Sequence, residues 1–280
     1  MSYGKVIELF LVNGTADSLM VAELSNWNGK AFKIPRIEVA SCERDDIKAP
    51  GIYFLFCKNV EGDKDSVYIG ETENLKVRLL QHIQDHSNGK EKYYWTTAVM
   101  FTGTNLDKAL IRYLENLLVQ AAKNANRYIV ETKNTYGNTI IKESSKATME
   151  EFFDNIKTLI NAMGYKVLEP MIVSTPESEA KNLYIERGSV KAIGVVTSEG
   201  FVVRKGAVIN EKTNVPSLKE KAADFRDKMI ASDKVENFIT QEDILFSSSS
   251  AAAVFVLGYS VSGPQAWKDK NGTELRELNI

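Results

Sequence analysis

Short apolar runs broken by polar turns fill the first third of the chain, and a helical rhythm takes over after them. Val6 to Val12 is an apolar run closed by Asn13-Gly14, Leu19 to Leu24 is a second, and Asn26 to Lys30 is a turn before Ala31 to Ile34. These predict a β-rich leader. Gly51 to Cys57 (GIYFLFC) has no polar alternation and predicts a buried strand, and Ser66 to Gly70 (SVYIG) predicts its partner. Lys58 to Lys64 lies between them with Gly62 and Asp63, so the pair reads as a hairpin. Leu75, Leu79 and Ile83 then recur every fourth residue, with Thr72 or Asn74 as the cap. Arg78 and His82 share that spacing on a neighbouring face and project together. A third strand is expected over Thr96 to Gly103. A second helix is expected from Thr104 or Asn105 to about Asn124, with one carboxylate, Glu115, among Leu110, Ile111, Leu114, Leu117 and Leu118.

Beyond this, Lys142 to Met163 reads as a connection that turns helical part-way. Thr148 and Glu151 fit a capping box, Phe152, Ile156 and Ile160 form the stripe, and Gly164 is the stop. Pro170 to Lys181 is polar and linker-like. The tail offers strands at Lys191 to Thr197, Phe201 to Val203 and Ala207 to Ile209. A helix follows from Pro216 to Ala231, with Leu218, Ala222, Phe225 and Met229 on one face. Ser247 to Ser250 leads into an apolar helix, Ala251 to Leu257, where the serines either cap the helix or offer amides to a phosphate. Trp267 to Gly272 reads as a terminal hairpin. The expected class is α/β: a β-rich region at 1–48, a β-β-α-β-α unit at 49–141, a connecting helix and linker at 142–181, and an α+β domain at 182–280.

Composition narrows the classes. At 280 residues, 44% apolar and 26% charged, the chain reads as globular, with room for more than one core. A net charge of −2 argues against a broadly basic coat for nucleic acid, so any such surface must be local. Cys42 and Cys57 are too few for a disulfide framework or a zinc site and point to a reducing compartment. No apolar run approaches the ~18 residues of a membrane span, so a soluble cytoplasmic protein is expected.

The paired tripeptides Gly51-Ile52-Tyr53 and Tyr68-Ile69-Gly70, with Arg78 eight residues after the second, resemble the GIY-YIG nuclease family. His82 and Glu115 follow in the family's order, and the resemblance covers about Ala49 to Thr135. It implies that Tyr53, Tyr68, Arg78 and Glu115 line one site, with Tyr53 activating water, and that His82 occupies a position that is frequently His. It also implies a polar residue, usually Asn, after the second helix: Asn134 is the choice here, with Asn124 and Asn126 competing. The FSSSSAAAVFVLG run and the later WKDKNG resemble an uncharacterised C-terminal domain attached to some members.

The chemistry agrees with that assignment. Phosphodiester hydrolysis needs an activated water, charge at the phosphoryl oxygens and help for the leaving oxygen. One carboxylate, Glu115, suffices for a single Mg²⁺ (or Mn²⁺) that keeps most of its waters. Arg78 offers a planar fork to a phosphate, and His82 can relay a proton or contact phosphate. Tyr53 is a poor base at its ordinary pKa of ~10 and needs assistance. Lys76, Lys90 and Lys92 are candidate phosphate contacts. The loop Asp85 to Trp95, with His86, Tyr93, Tyr94 and Trp95, suits either a strand-tracking surface or the start of the third strand. For Trp27, Lys30 and Arg36, packing of the Trp and solvated charges are preferred over a nucleic-acid surface. The leading function is metal-dependent hydrolysis of nucleic acid, DNA first and RNA second. The alternatives are a non-catalytic nucleic-acid-binding or regulatory module and, from the tail alone, an adaptor.

Overall fold

The computed structural model describes residues 4–59, 64–91, 93–133, 135, 137, 139–172, 181–218 and 220–278. The chain forms two compact units, Met1–Pro170 and Met171–Ile280.

The first unit comprises β1 (Ile7–Leu11), β2 (Met20–Leu24), β3 (Lys30–Pro35), β4 (Gly51–Cys57), β5 (Ser66–Thr72), α1 (Leu75–Ser87), β6 (Thr97–Thr102), α2 (Lys108–Ala125), β7 (Ile129–Val130) and α3 (Glu143–Ala162). Its strands make one seven-stranded sheet in the order β1-β2-β3-β6-β4-β5-β7. The leader strands are therefore continuous with the central unit: β3 pairs antiparallel with β6, from Lys30 opposite Thr102 to Pro35 opposite Thr97. β4 lies between β5 and β6 and is buried along its whole length. That burial on both faces explains its unbroken apolar sequence.

Alternation along β4 sends its side chains to two cores. Tyr53, Leu55 and Cys57 join Phe32, Ile34, Trp95 and Met100 beneath Leu75 and Leu79 of α1. Ile52, Phe54 and Phe56 face Ile111, Leu114 and Leu118 of α2 and Phe152, Ile156 and Ile160 of α3. Asn74, one of the two expected caps, takes the N-cap of α1 and accepts a hydrogen bond from the Val77 amide.

Two helix starts differ from expectation. α2 begins at Lys108, not near Thr104, because Asp107 supplies the cap by accepting from the Leu110 amide and Asn105 has φ +64, outside the helical region. α3 begins at Glu143, and Thr148 lies inside it, donating its hydroxyl to the Ser144 carbonyl. The residues from Glu143 to Thr148 are mostly exposed and carry no apolar stripe, so periodicity could not reveal that turn.

In the second unit, β8 (Leu183–Arg187), β9 (Val190–Thr197), β10 (Gly200–Val203) and β13 (Ile244–Phe246) form a sheet in the order β13-β10-β9-β8. β11 (Val235–Glu236) and β12 (Ile239–Thr240) form a small hairpin. β8 was not expected, and Ala207 to Ile209 is no strand: Val208 makes only isolated bridges to Lys191 and Ile239, although Ala207 and Ile209 are buried. The helix expected from Pro216 is a 3₁₀ turn, Val215–Ser217, followed by α4 (Glu220–Ile230), and Phe225 of the proposed apolar face is 47% exposed. In α5 (Ser249–Leu257) Ser248 is the N-cap and accepts from the Ala251 amide.

Candidate active site

The antiparallel register sets Tyr53 opposite Gly70 and Leu55 opposite Tyr68. Tyr53 and Tyr68 are thus diagonal neighbours on one face, with ring centroids 6.1 Å apart. A Cβ at Gly70 would lie well inside 3.0 Å of the Tyr53 ring and hydroxyl, so the glycine of the second tripeptide is the space into which the tyrosine of the first leans. Gly51 is likewise required, because a Cβ there would overlap the Phe101 carbonyl.

α1 brings two side chains onto the same hydroxyl. Arg78 Nε donates to Tyr53 Oη at 3.1 Å, and His82 Nε2 lies 2.9 Å from that oxygen. Arg78 also donates through Nη1 to Gln81 Oε1 at 2.7 Å. The guanidinium that sequence reasoning gave to a phosphate is therefore anchored on the tyrosine side of the site. His82 is 1% exposed and meets both tyrosine rings edge-on, and its Nδ1 is bonded to Glu91 Oε1. Tyr93 stacks on Tyr68 at 5.6 Å.

Glu115 projects from the buried stripe of α2 and is 6% exposed. The Glu71 backbone N–H donates to its carboxylate, while Oε2 is buried and has no hydrogen-bond partner among the described residues. Lys108 and Arg112 stand nearby on α2, but Glu71 engages them, with Lys108 Nζ 2.9 Å and Arg112 Nε 3.6 Å from its oxygens.

Burial dominates the electrostatics. It pushes Tyr53 far above its ordinary value, against the pull of Arg78, and raises Tyr68 and Tyr93 as well. Burial, then the Arg78 and Arg36 charges, push His82 down to about 3, so its ring is neutral at pH 7. Burial, then the Glu71 charge, raise Glu115 to about 7. A buried carboxylate with one oxygen lacking a hydrogen-bond partner among the described residues suits a divalent cation. Among the described residues no three His, Cys, Asp or Glu side chains converge, so a one-carboxylate, water-rich site for a hard cation fits the donor set better than a closed cage.

The structure brings together Tyr53, Tyr68, Arg78 and His82, with Glu115 near enough for its charge to act on both tyrosines. Lys76 donates to the Cys42 carbonyl, and Lys90 is exposed and 3.7 Å from Asp85. Asn134 and Lys92 lie outside the described residues. Asn124 and Asn126 fall at the far end of α2, about 14 and 17 Å along the helix from Glu115, too far to complete the site. In the 85–95 loop Trp95 is wholly buried, Tyr94 is exposed and the strand begins only at Thr97. Arg36 is buried against the Tyr94 and Trp95 rings, and Trp27 packs on Phe152 with centroids 4.7 Å apart. Sequence reasoning missed Gln81, Glu71 and Glu91. Gln81 lies three residues beyond Arg78 on a helix and was findable from that spacing.

Comparison with family profiles matches residues 49–129 to the GIY-YIG catalytic domain and residues 183–279 to a domain of unknown function, DUF4357. Comparisons with curated proteins and with solved structures returned no match. The chain thus carries a GIY-YIG catalytic domain, which supports a nuclease-type function and implies a nucleic-acid substrate, followed by an uncharacterised domain. No described helix is long and apolar enough to cross a membrane.

Proposed function

We propose that this GIY-YIG domain is a divalent-metal-dependent endonuclease that hydrolyses DNA phosphodiester bonds, with RNA as the second substrate class. The observation that carries the reading is the hydrogen-bonded line Arg78–Tyr53–His82 at one tyrosine hydroxyl, with the buried Glu115 carboxylate, whose Oε2 has no hydrogen-bond partner among the described residues, nearby.

Buried Tyr53 is not ionised at neutral pH, so it can act as a base only by releasing its own proton as it takes one from water. His82 Nε2 is placed to receive that proton. Arg78 Nε–H stabilises the charge that gathers on Tyr53 Oη. Tyr68, packed between Tyr53 and Tyr93, fixes the angle of the Tyr53 ring. Glu115 would hold Mg²⁺ or Mn²⁺, which supplies Lewis-acid charge for the phosphoryl oxygens. Lys90 is exposed beside the site and suits contact with a flanking phosphate.

The test is metal-dependent cleavage of single-stranded, duplex and branched DNA and of RNA, by the wild type and by Glu115→Gln. The variant keeps the shape of the side chain and loses the charge. It should retain nucleic-acid affinity and lose cleavage by on the order of 10²-fold or more. Wild-type cleavage rates in Glu115→Gln would overturn the assignment. Salt-dependent binding by the wild type with no cleavage under any metal would instead favour a binding module.

A further inference from the structure

We propose that Glu91 is a positioning residue of this site: it holds His82 with the proton on Nδ1, so that Nε2 faces the Tyr53 hydroxyl as an acceptor. The role in catalysis rests on the nuclease reading above; the positioning itself does not.

The hydrogen-bond inventory gives one self-consistent direction for the bonds of this line. Arg78 Nε can only donate, so Tyr53 Oη accepts from it and is left with its own hydrogen to give. His82 Nε2, at 2.9 Å, is an acceptor within reach, and the Tyr68 hydroxyl is also a neighbour. A neutral imidazole whose Nε2 accepts must carry its proton on Nδ1, and Nδ1 points at Glu91 Oε1. When Glu91 is ionised its carboxylate can only accept, and the line closes: Arg78 to Tyr53, Tyr53 to His82, His82 to Glu91. Both flanks of the ring are occupied, and with His82 1% exposed the loss of Glu91 would leave a buried ring nitrogen without this partner.

Glu91 also meets the charge demand of the step. When Tyr53 takes a proton from water, its own proton moves to His82 Nε2 and the imidazole becomes an imidazolium; the Nδ1 proton stays where it was. Arg78 and Arg36, from α1 and from the turn after β3, both oppose a positive charge on that ring. Glu91 is the carboxylate bonded to it. Around Glu91 itself, burial and then the Asp85 charge disfavour the ionised form and raise its pKa, while Arg78, the Tyr93 hydroxyl and Arg36 pull the other way. The residue lies in the loop that sequence reasoning offered to nucleic acid, nine residues after His82, where no helical or strand spacing announces the contact.

The chain contains only two histidines, His82 and His86, so ¹⁵N-histidine labelling yields two ring systems, assignable with His86→Gln. At pH 7.5, in the metal-free full-length protein, His82 should show a protonated Nδ1 and a non-protonated Nε2. Glu91→Ala should move the ring toward the Nε2–H form or a mixture, whereas Glu91→Gln, whose amide oxygen still accepts, should keep Nδ1–H. Single-turnover cleavage should fall by about 10- to 100-fold in Glu91→Ala, the scale of losing a group that orients a reacting partner. Glu91→Gln, which orients the ring without the countercharge, should lie between Glu91→Ala and the wild type. An Nε2–H ring in the wild type overturns the proposal even if no variant folds, and so does a Glu91→Ala protein with unchanged tautomer or unchanged cleavage. The expected tautomers in a protein that cleaves no nucleic acid would overturn the nuclease reading and leave the positioning intact.

Discussion

Burial, and then the Glu71 charge, raise the folded-state pKa of Glu115 to about 7 from 4.5, against the hydrogen bond from the Glu71 amide, and one of its buried oxygens has no hydrogen-bond partner among the described residues. A carboxyl raised in this way contributes its stability below the unfolded value and loses it as pH climbs through the folded value, because only the folded protein holds the proton there. Metal-free wild type should therefore lose thermal stability between pH 5 and pH 8 relative to Glu115→Gln, whose amide never ionises. Melts in chelator at the two pH values check this; parallel pH dependences for the two proteins would sink it. The same proton competes with the cation, so apparent metal affinity should drop about tenfold per pH unit below the folded pKa.

The hairpin β4–β5 acts as one element. Its register puts Gly70 under Tyr53, and α1, capped by Asn74, lowers Arg78 and His82 onto the tyrosine hydroxyl. Gly70→Ala changes no functional group, yet its methyl would occupy the place of the Tyr53 ring. The ring must swing away from at least one of its two partners. We expect a folded protein whose cleavage rate falls on the order of 10²-fold, the effect of about a 1 Å displacement at a reacting group. Circular dichroism establishes the fold and single-turnover kinetics the loss; a full-rate Gly70→Ala enzyme would show that Tyr53 tolerates several positions.

At the scale of the molecule, the family match and the folding unit do not coincide. The GIY-YIG match begins at residue 49, but β3 is paired with β6, and Phe32 and Ile34 are fully buried in the core beneath α1. A chain beginning at Ala49 would expose the β6 edge and half of that core, and it should be insoluble or molten. A chain ending at Pro170 keeps both cores of the first unit and should fold. Every residue given a chemical role here lies between Tyr53 and Glu115, so this shorter chain should also cleave at saturating enzyme, with weaker substrate binding if the second unit adds contacts. Near-ultraviolet circular dichroism and single-turnover cleavage of the two truncations test both halves of the expectation. A folded Met1–Pro170 protein unable to cleave would place an essential group in the second unit.

Much of this protein was legible from its residues alone. The hairpin, the third strand, the apolar stripe of α2 and the cap at Asn74 follow from local rules, where a residue's nearest chain neighbours determine what it can do. Tyr53, Tyr68, Arg78, His82 and Glu115 could be named through the family resemblance, whose motif runs along one strand–helix unit. Contacts between segments distant in sequence were decided by the tertiary structure. It joined the leader strands to β6 and turned Arg78 toward Tyr53 and Gln81. It also carried Glu91 across a loop to the far side of His82 and left one oxygen of Glu115 without a hydrogen-bond partner among the described residues. These depend on register and on which face of each element is buried, and no periodicity in the chain encodes where an irregular loop will return.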